Sequence, residues 1–278
     1  MRQRAVRNLA RLGTAHARIT RILDAAAGGK NNFLADRDLV RHFDQVTPVA
    51  TTAARAVLEY LTRVIGHLAA VEGVDQFMIV GSGVPNGPSG GSRLHEVARL
   101  TSPGPDVRVV YVESDPMALT LAQATIEPFC DLVRVVDGDV REMDEMLGDP
   151  VVQTFLDWDR PIAVLLLSAH SLDDECARTV VKRLRHAVPE GSFLGLLHIT
   201  FDGVPGELAP AVRGMLAMTL PGLNVRTRAE VADLLDGLDL LEPGLVWVPE
   251  WRPAADDDPA CADAPASSGN YGAVARIP

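Results

Sequence analysis

A glycine turn, two strand-end acids and one histidine carry most of the chemistry in this sequence. The apolar run Gln76-Phe77-Met78-Ile79-Val80 stops at Gly81-Ser82-Gly83, where the missing Cβ atoms let the backbone approach a ligand closely. A second run, residues 107–112, delivers Glu113 at its end, followed by Ser114. A glycine turn after one strand, with an acid at the tip of the next, holds a ribose by its hydroxyls in doubly wound sheets. A third run, residues 132–136, leads into Asp137-Gly138-Asp139-Val140. An acid there accepts a hydrogen bond from an exocyclic amine such as that of adenine, or else caps a helix in solvent. The pattern predicts a nucleoside-like cofactor.

The strongest strand spans residues 161–167 and has no polar alternation, as expected of a strand buried on both faces. It empties into Ser168-Ala169-His170-Ser171-Leu172-Asp173-Asp174. Ligands in such sheets sit outside the carboxyl ends of the strands, so His170 is the histidine best placed to face a substrate. It is the candidate general base, with Asp173 or Asp174 orienting it, and a satisfied structural histidine is the competing reading. His198 also ends a strand and is read as core or pocket. His95 precedes Glu96 but has no second histidine four residues later, so no zinc motif is formed and no metal is assigned.

The elements that must position these groups alternate. Helical spacing is expected over residues 5–24, from near Arg37 with Asp36 as its cap, and over residues 51–70, where Val57, Leu58, Leu61, Val64, Ile65 and Leu68 share a face. These helices form an extension, residues 1–72, ahead of the cofactor domain, residues 73–278. They either close over the strand ends as a lid or simply pack. After Gly83 the chain runs through residues 85–92 before helical spacing resumes at Leu94, and Asn86 stands where a dinucleotide fingerprint needs its third glycine. That long loop speaks against NAD.

Pro116 suits the first turn of a helix, and Thr227 with Glu230 has capping-box spacing. A fifth strand is expected at residues 193–198, a sixth at 240–247 and a last at 271–277. Residues 253–269, rich in Asp, Pro, Ala and Ser, read as a mobile hairpin loop. Two strands in succession at the end give an α/β sheet with an antiparallel edge.

With 26 basic and 37 acidic residues in 278, the net charge of -11 argues against nucleic acid or an anionic membrane as a partner over a wide surface. Arg2, Arg4, Arg7, Arg11, Arg18 and Arg21 precede the first acid, Asp24; they read as a solvated helical face rather than an anion site. Three separated cysteines, Cys130, Cys176 and Cys261, suggest neither a disulfide framework nor a cysteine metal site. The longest apolar run is too short to span a bilayer, and a soluble cytoplasmic protein is expected.

This order resembles the class I S-adenosylmethionine-dependent methyltransferases, with a Rossmann-like, mostly parallel seven-stranded sheet whose last strand is antiparallel. More narrowly it is similar to an actinobacterial family, once a domain of unknown function and now labelled S-adenosyl methyltransferase. The resemblance rests on Gly28-Gly29-Lys30-Asn31-Asn32-Phe33 with Asp36-Arg37, Gly81-Ser82-Gly83-Val84-Pro85, His95-Glu96-Val97-Ala98, Tyr111 to Pro116, Asp139-Val140-Arg141 and the closing Tyr271 to Arg276. It implies S-adenosylmethionine as cofactor. Gly81, Ser82 and Gly83 would wrap its methionine and ribose, and Glu113 with Ser114 would take the ribose hydroxyls. Asp139 and Val140 would meet the adenine, Ser168 would line the site, and Gly29 and Lys30 would close over it.

Departures are also visible. The family tends to place an acid two residues before the first glycine, and this chain has Ile79; Leu23 and Ala25 replace aromatic residues around Asp24. The implied activity is methyl transfer to a small molecule. Rival readings are intramolecular alkylation of the cofactor's aminobutyrate chain, a noncatalytic binding protein of the same fold, and a nicotinamide oxidoreductase. The sequence leaves the oligomeric state open, a homodimer included.

Overall fold

The computed structural model describes residues 13–14, 16–46, 50–82 and 93–278, and Gly83 with the rest of the glycine loop lies outside them. Three helices come first: α1 (Ile19–Ala26), α2 (Leu34–Val46) and α3 (Ala50–Ala70). The sheet is then built from β1 (Gln76–Val80), β2 (Arg108–Glu113), β3 (Val133–Asp137), β4 (Ala163–Leu166) and β5 (Phe193–Ile199), all mutually parallel. Helices α4 (Leu94–Thr101), α5 (Pro116–Thr125), α6 (Met143–Leu147), α7 (Pro150–Phe155), α8 (Asp174–Ala187), α9 (Ala209–Thr219) and α10 (Arg228–Leu234) connect the strands. The order β3-β2-β1-β4-β5 reverses direction between β1 and β4, the topological switch point of a doubly wound sheet.

The last strand, β8 (Asn270–Arg276), inserts antiparallel beside β5. The expected sixth strand is two fragments, β6 (Asp239–Leu240) and β7 (Val246–Trp247), both paired with β8. The count is therefore eight rather than seven. Between the fragments Gly244 adopts φ 85° and the chain bulges away, so a turn interrupts a strand that otherwise keeps its direction. The far edge is closed differently: the Gln123 amide donates to the Val135 carbonyl at 3.0 Å, and Glu127 accepts the Val135 N–H at 2.6 Å.

Alternation along β1 divides the core. Phe77 and Ile79 join Tyr60, Leu61, Val64, Ile65 and Leu68 of α3 on one face, and Met78 and Val80 join Val180, Val181 and Leu184 of α8 on the other. Each fully buried leucine or isoleucine is worth roughly 1.5–3 kcal/mol of transfer free energy. The Tyr60 hydroxyl ties α3 to the sheet, donating within 3.0 Å of the Leu196 carbonyl and 3.1 Å of the Ala273 carbonyl. A Cβ on Gly272 would lie 2.5 Å from the Tyr60 ring, so that strand position must stay bare.

Several expectations change. In the described part of residues 5–24, helix begins only at Ile19, because Arg18 is extended and its N–H donates to Asp36. Asp36 is not the cap of a helix starting at Arg37; α2 starts at Leu34, and Asp36 in its first turn accepts the Phe33 N–H at 2.8 Å. Arg21 is not solvated but 3% exposed, whereas Arg2, Arg4, Arg7 and Arg11 lie outside the described residues.

Residues 253–269 are not a loose hairpin. They hold α11 (Pro259–Asp263) and a 3-10 turn, Pro265–Ser268. Asp258 pairs with Arg55, Asp257 with Arg63, and Arg63 also donates to the Trp251 and Val248 carbonyls at 2.9 and 2.7 Å. Asp257 and Asp258 face arginines on α3 instead of repelling one another in solvent. Among the described residues, no helix is long and apolar enough to cross a membrane.

Candidate functional site

Backbone hydrogen bonds hold the strand tips in one row. Gly81 N–H donates to the Val112 carbonyl at 3.0 Å, Gly138 N–H to Glu113 at 3.1 Å, and Leu167 N–H to Val80 at 3.0 Å. This places the Gly81 turn, Glu113, Asp137 to Asp139 and the Ser168–His170 turn along the carboxyl edge of β1, β2, β3 and β4. Gly81 has φ 80°, and a Cβ there would fall 2.5 Å from the Ser168 Cβ. Only glycine satisfies both conditions.

Glu113 is 1% exposed, with the Ser82 hydroxyl 3.5 Å from its Oε1. Asp139, 8% exposed, accepts the Arg141 Nε–H at 2.9 Å and the Arg141 backbone N–H at 3.0 Å. Val140 is buried among Val112, Val136 and Met143, so its backbone rather than its side chain is what a ligand could meet. Ser114 is exposed. The Ser168 hydroxyl is buried with no hydrogen-bond partner among the described residues. An orphan hydroxyl beside a bare glycine turn is a polar group in want of a ligand.

A cavity of about 1020 Å³ opens beside this edge. Gly81, Ser82, Gly29, Lys30 and His170 line it; Glu113, Ser114, Asp139, Val140 and Ser168 belong to the strand-tip row but not to its described lining. Its far wall is apolar, with Ile22, Phe43, Leu58, Phe201 and Leu216 among the contributors. Residues 266–270 of the refolded C-terminal stretch complete it, and Gly203 lets them close in, since a Cβ there would lie 2.3 Å from the Ala266 carbonyl oxygen. Sequence reading missed α9 and this C-terminal wall; the 3.6 spacing of Val212 and Leu216 was the available signal.

The glycine segment between α1 and α2 is organised by Asp24. Its Oδ2 accepts the Asn31 N–H at 2.8 Å and the Asn32 amide at 2.7 Å, Gly28 takes φ 78°, and a Cβ on Gly29 would collide with the carboxylate. Arg21 locks the same helices to the sheet edge: Nε donates to Asp36 and Nη1 to Asp115, both at 3.1 Å. Phe33 lies under the guanidinium at 5.1 Å.

The histidines divide by environment. His198 is core: its Nε2 accepts from Arg226 at 2.7 Å and its Nδ1–H donates to the Ile199 carbonyl at 2.8 Å. Arg226 also donates to the Leu172 and Ala169 carbonyls at 2.8 and 3.3 Å and pairs with Asp174 at 2.9 Å. Asp174 thus serves Arg226 rather than orienting His170, and Asp173 caps α8. His95 is structural, bonded to the Tyr111 hydroxyl at 3.1 Å. His170 faces the cavity, and burial, then the neighbouring His198 and Arg226, push it down to about 4 against a hydrogen bond with the Leu167 carbonyl. It is neutral at pH 7.

Comparison with known proteins bears on the same features. A family model described as S-adenosyl methyltransferase matches residues 5–278. A DUF574 family protein from Streptomyces avermitilis is 33% identical, with a TM-score of 0.85 over 95% of this chain and 99% of its own. A Thermobifida fusca protein suggested to be a methyltransferase is 31% identical, with a TM-score of 0.83 over 94% of this chain and 95% of its own. A comparison with curated proteins finds no match. With a switch point carrying a bare glycine turn, a buried acid at the next strand tip and a family match over nearly its whole length, the chain belongs to the S-adenosyl methyltransferase family, enzymes whose cofactor is S-adenosylmethionine.

Proposed function

We propose that this methyltransferase acts on a small molecule with a large apolar face, held in the cavity between α1, α2, α9 and the tips of β1, β4 and β5. S-adenosylmethionine, when bound, supplies a sulfonium whose methyl group an acceptor nucleophile displaces in line. The chain's residues align and shield. Gly81, Ser82 and Gly83 hold the cofactor's central portion, Glu113 and Ser114 its ribose hydroxyls, and Asp139 with the Val140 backbone its adenine. Ser168 gives its orphan hydroxyl to the same ligand. Gly29 and Lys30 bound it from the side of the N-terminal helices, which act as a cover over the strand ends.

His170 is the group nearest to acid–base work. With one ring nitrogen donating to the Leu167 carbonyl, the other is left to accept from the acceptor's O–H or N–H. Its weak basicity suits orienting a nucleophile, or receiving a proton that the reaction itself makes acidic, better than prior deprotonation. The three cysteines are unpaired, which fits a reducing compartment and supports placement in the cytoplasm.

One observation carries the cofactor geometry: Glu113 is a carboxylate almost fully buried at a strand tip next to Ser82. Calorimetric titration with S-adenosylmethionine tests it. The intact protein should bind saturably, and Glu113→Ala should weaken binding by roughly tenfold or more, the worth of hydrogen bonds to a charged group. Equal affinity in both proteins would remove Glu113 from the site.

A further inference from the structure

The cavity's charges are unevenly placed. Asp24, Lys30 and Arg93 line it from α1, the glycine segment and the residue ahead of α4, on the side assigned to the cofactor with Gly81 and Ser82. Another wall is built from residues 197–205, α9 with Leu220, and residues 264–270, and every described residue that it contributes is uncharged. Leu197, Ile199, Phe201, Val212, Leu216 and Leu220 give it an apolar surface. The charged side chains of the same segments turn elsewhere. Asp202 accepts the Arg228 N–H at 2.8 Å and the Tyr271 hydroxyl at 3.1 Å, and Glu207 and Arg213 are exposed. None of the three lines the cavity.

Asn270 is the polar point of this wall. It stands opposite Ile199 in the β5–β8 ladder, and paired residues share a face of the sheet, so it projects with Leu197 and Ile199 toward the cavity. Its Nδ2 donates to the Ser268 carbonyl at 2.6 Å, which fixes the amide, and its Oδ1 takes no hydrogen bond from any described residue. The Ser267 and Ser268 hydroxyls are already spent on the Ala264 and Pro265 carbonyls, at 2.7 and 2.6 Å. A carboxylate placed here would bring a second acceptor to Oδ1 and find no cation. An ammonium would exchange its hydration for one neutral oxygen. A hydroxyl fits, because it donates one hydrogen bond and carries no charge into an apolar wall.

We propose that the methyl acceptor is an uncharged, largely apolar molecule bearing a hydroxyl group, held against this wall with the hydroxyl donating to Asn270 Oδ1. Asn270 is then a specificity-determining residue. This rests on the reading of the cavity as the acceptor site. At about 1020 Å³ the cavity is at the top of the roughly 300–1,000 Å³ that ligand pockets span, so room remains beside the cofactor.

The test uses protein saturated with S-adenosylhomocysteine, which fills the charged side, and three probes of one shape: 2-naphthol, 2-naphthoate and 2-naphthylmethylammonium. Equilibrium dialysis at pH 7 should show naphthol bound roughly tenfold or more tightly than either ion, since neither charge finds a partner. Asn270→Leu should weaken naphthol about 3- to 10-fold, the worth of a neutral hydrogen bond, and leave naphthoate within about twofold. Asn270→Asp, which sets an anion at the same point, should instead strengthen the ammonium probe about fivefold or more. Thermal unfolding verifies that each variant folds, and the probe order in the intact protein decides if neither does. Equal or tighter binding of an ion by the intact protein overturns the proposal, as does an equal loss of naphthol and naphthoate in Asn270→Leu. Binding of S-adenosylhomocysteine but of no naphthyl probe would strike the reading of the cavity as an apolar acceptor site, and this proposal with it. Failure to bind S-adenosylhomocysteine would strike the cofactor placement on which both stand.

Discussion

Two buried arginines fasten the two ends of the candidate site, and they do so by different chemistry. Arg21 sits between carboxylates, Asp36 and Asp115, whose side chains are 0% and 7% exposed, and so joins the N-terminal helices to the β2 tip through charge. Arg226 sits among the Ala169 and Leu172 carbonyls and the His198 ring, with Asp174, its one paired acid, 62% exposed. It stitches the β4 turn to β5 through neutral acceptors. The first junction therefore stands or falls with its ion pairs, and the second with the completeness of its hydrogen bonds.

Removing the charge at the first junction should have the largest effect. Arg21→Met leaves two buried carboxylates without their cation and should lower unfolding stability by about 3–5 kcal/mol, read from urea unfolding midpoints. A loss below about 1 kcal/mol would mean that Asp36 and Asp115 are served well enough by backbone donors, and the contrast between the junctions would dissolve.

Acid should act next, at the Arg226 junction. Burial pushes His198 down to about 4, the neighbouring Arg226 charge adding to this against the Ile199 hydrogen bond, whereas the unfolded side chain titrates near 6.5. Between those values the unfolded chain binds more protons. The stabilisation is therefore complete above about pH 6.5, lost as pH falls, and gone near pH 4. It amounts to a few kcal/mol, and His95 and His170, also held at about 4, act in the same direction. His198→Gln, which still accepts from Arg226, should remove a measurable part of the slope of stability against pH in this window, the rest belonging to His95, His170 and His67, which burial also pushes down; an unaltered slope would place the sensitivity elsewhere. The smallest effect belongs to Asp174→Ala, which should cost less than about 1 kcal/mol because the carboxylate is mostly in water. A loss as large as that of Arg21→Met would show that the second junction is also held by charge.

How much of this was legible depends on how local each cause is. Glu113 and Gly81 could be read because a strand end and a glycine turn announce themselves within a few residues. The capping box at Thr227 and Glu230 is equally local and forms as expected. Residues 253–269 could not be read, because what orders their acids is Arg63 and Arg55, 194 and 203 positions away. Composition then looks like disorder. The same holds for Arg21, whose surplus of neighbouring arginines resembles a solvated face until Asp115, 94 positions on, comes beside it. Asp24 was noticed as the first acid of the chain and for its missing aromatic neighbours, but an acid in a short alanine-rich helix gives no sign of facing a cavity. The sixth strand was expected as one run over residues 240–247, and its interruption depends on a turn that hydrophobic pattern alone does not register.

That interruption matters for how the molecule behaves in a crowd. A sheet edge with a long row of unpaired amides is a template on which another chain can grow. Here one flank ends in the two-residue fragment Asp239–Leu240, too short to seed a ladder. The other has its Val135 amide and carbonyl already satisfied by Glu127 and Gln123. Both borders of the sheet are thus short or partly satisfied, which leaves strand addition from another chain little to start from.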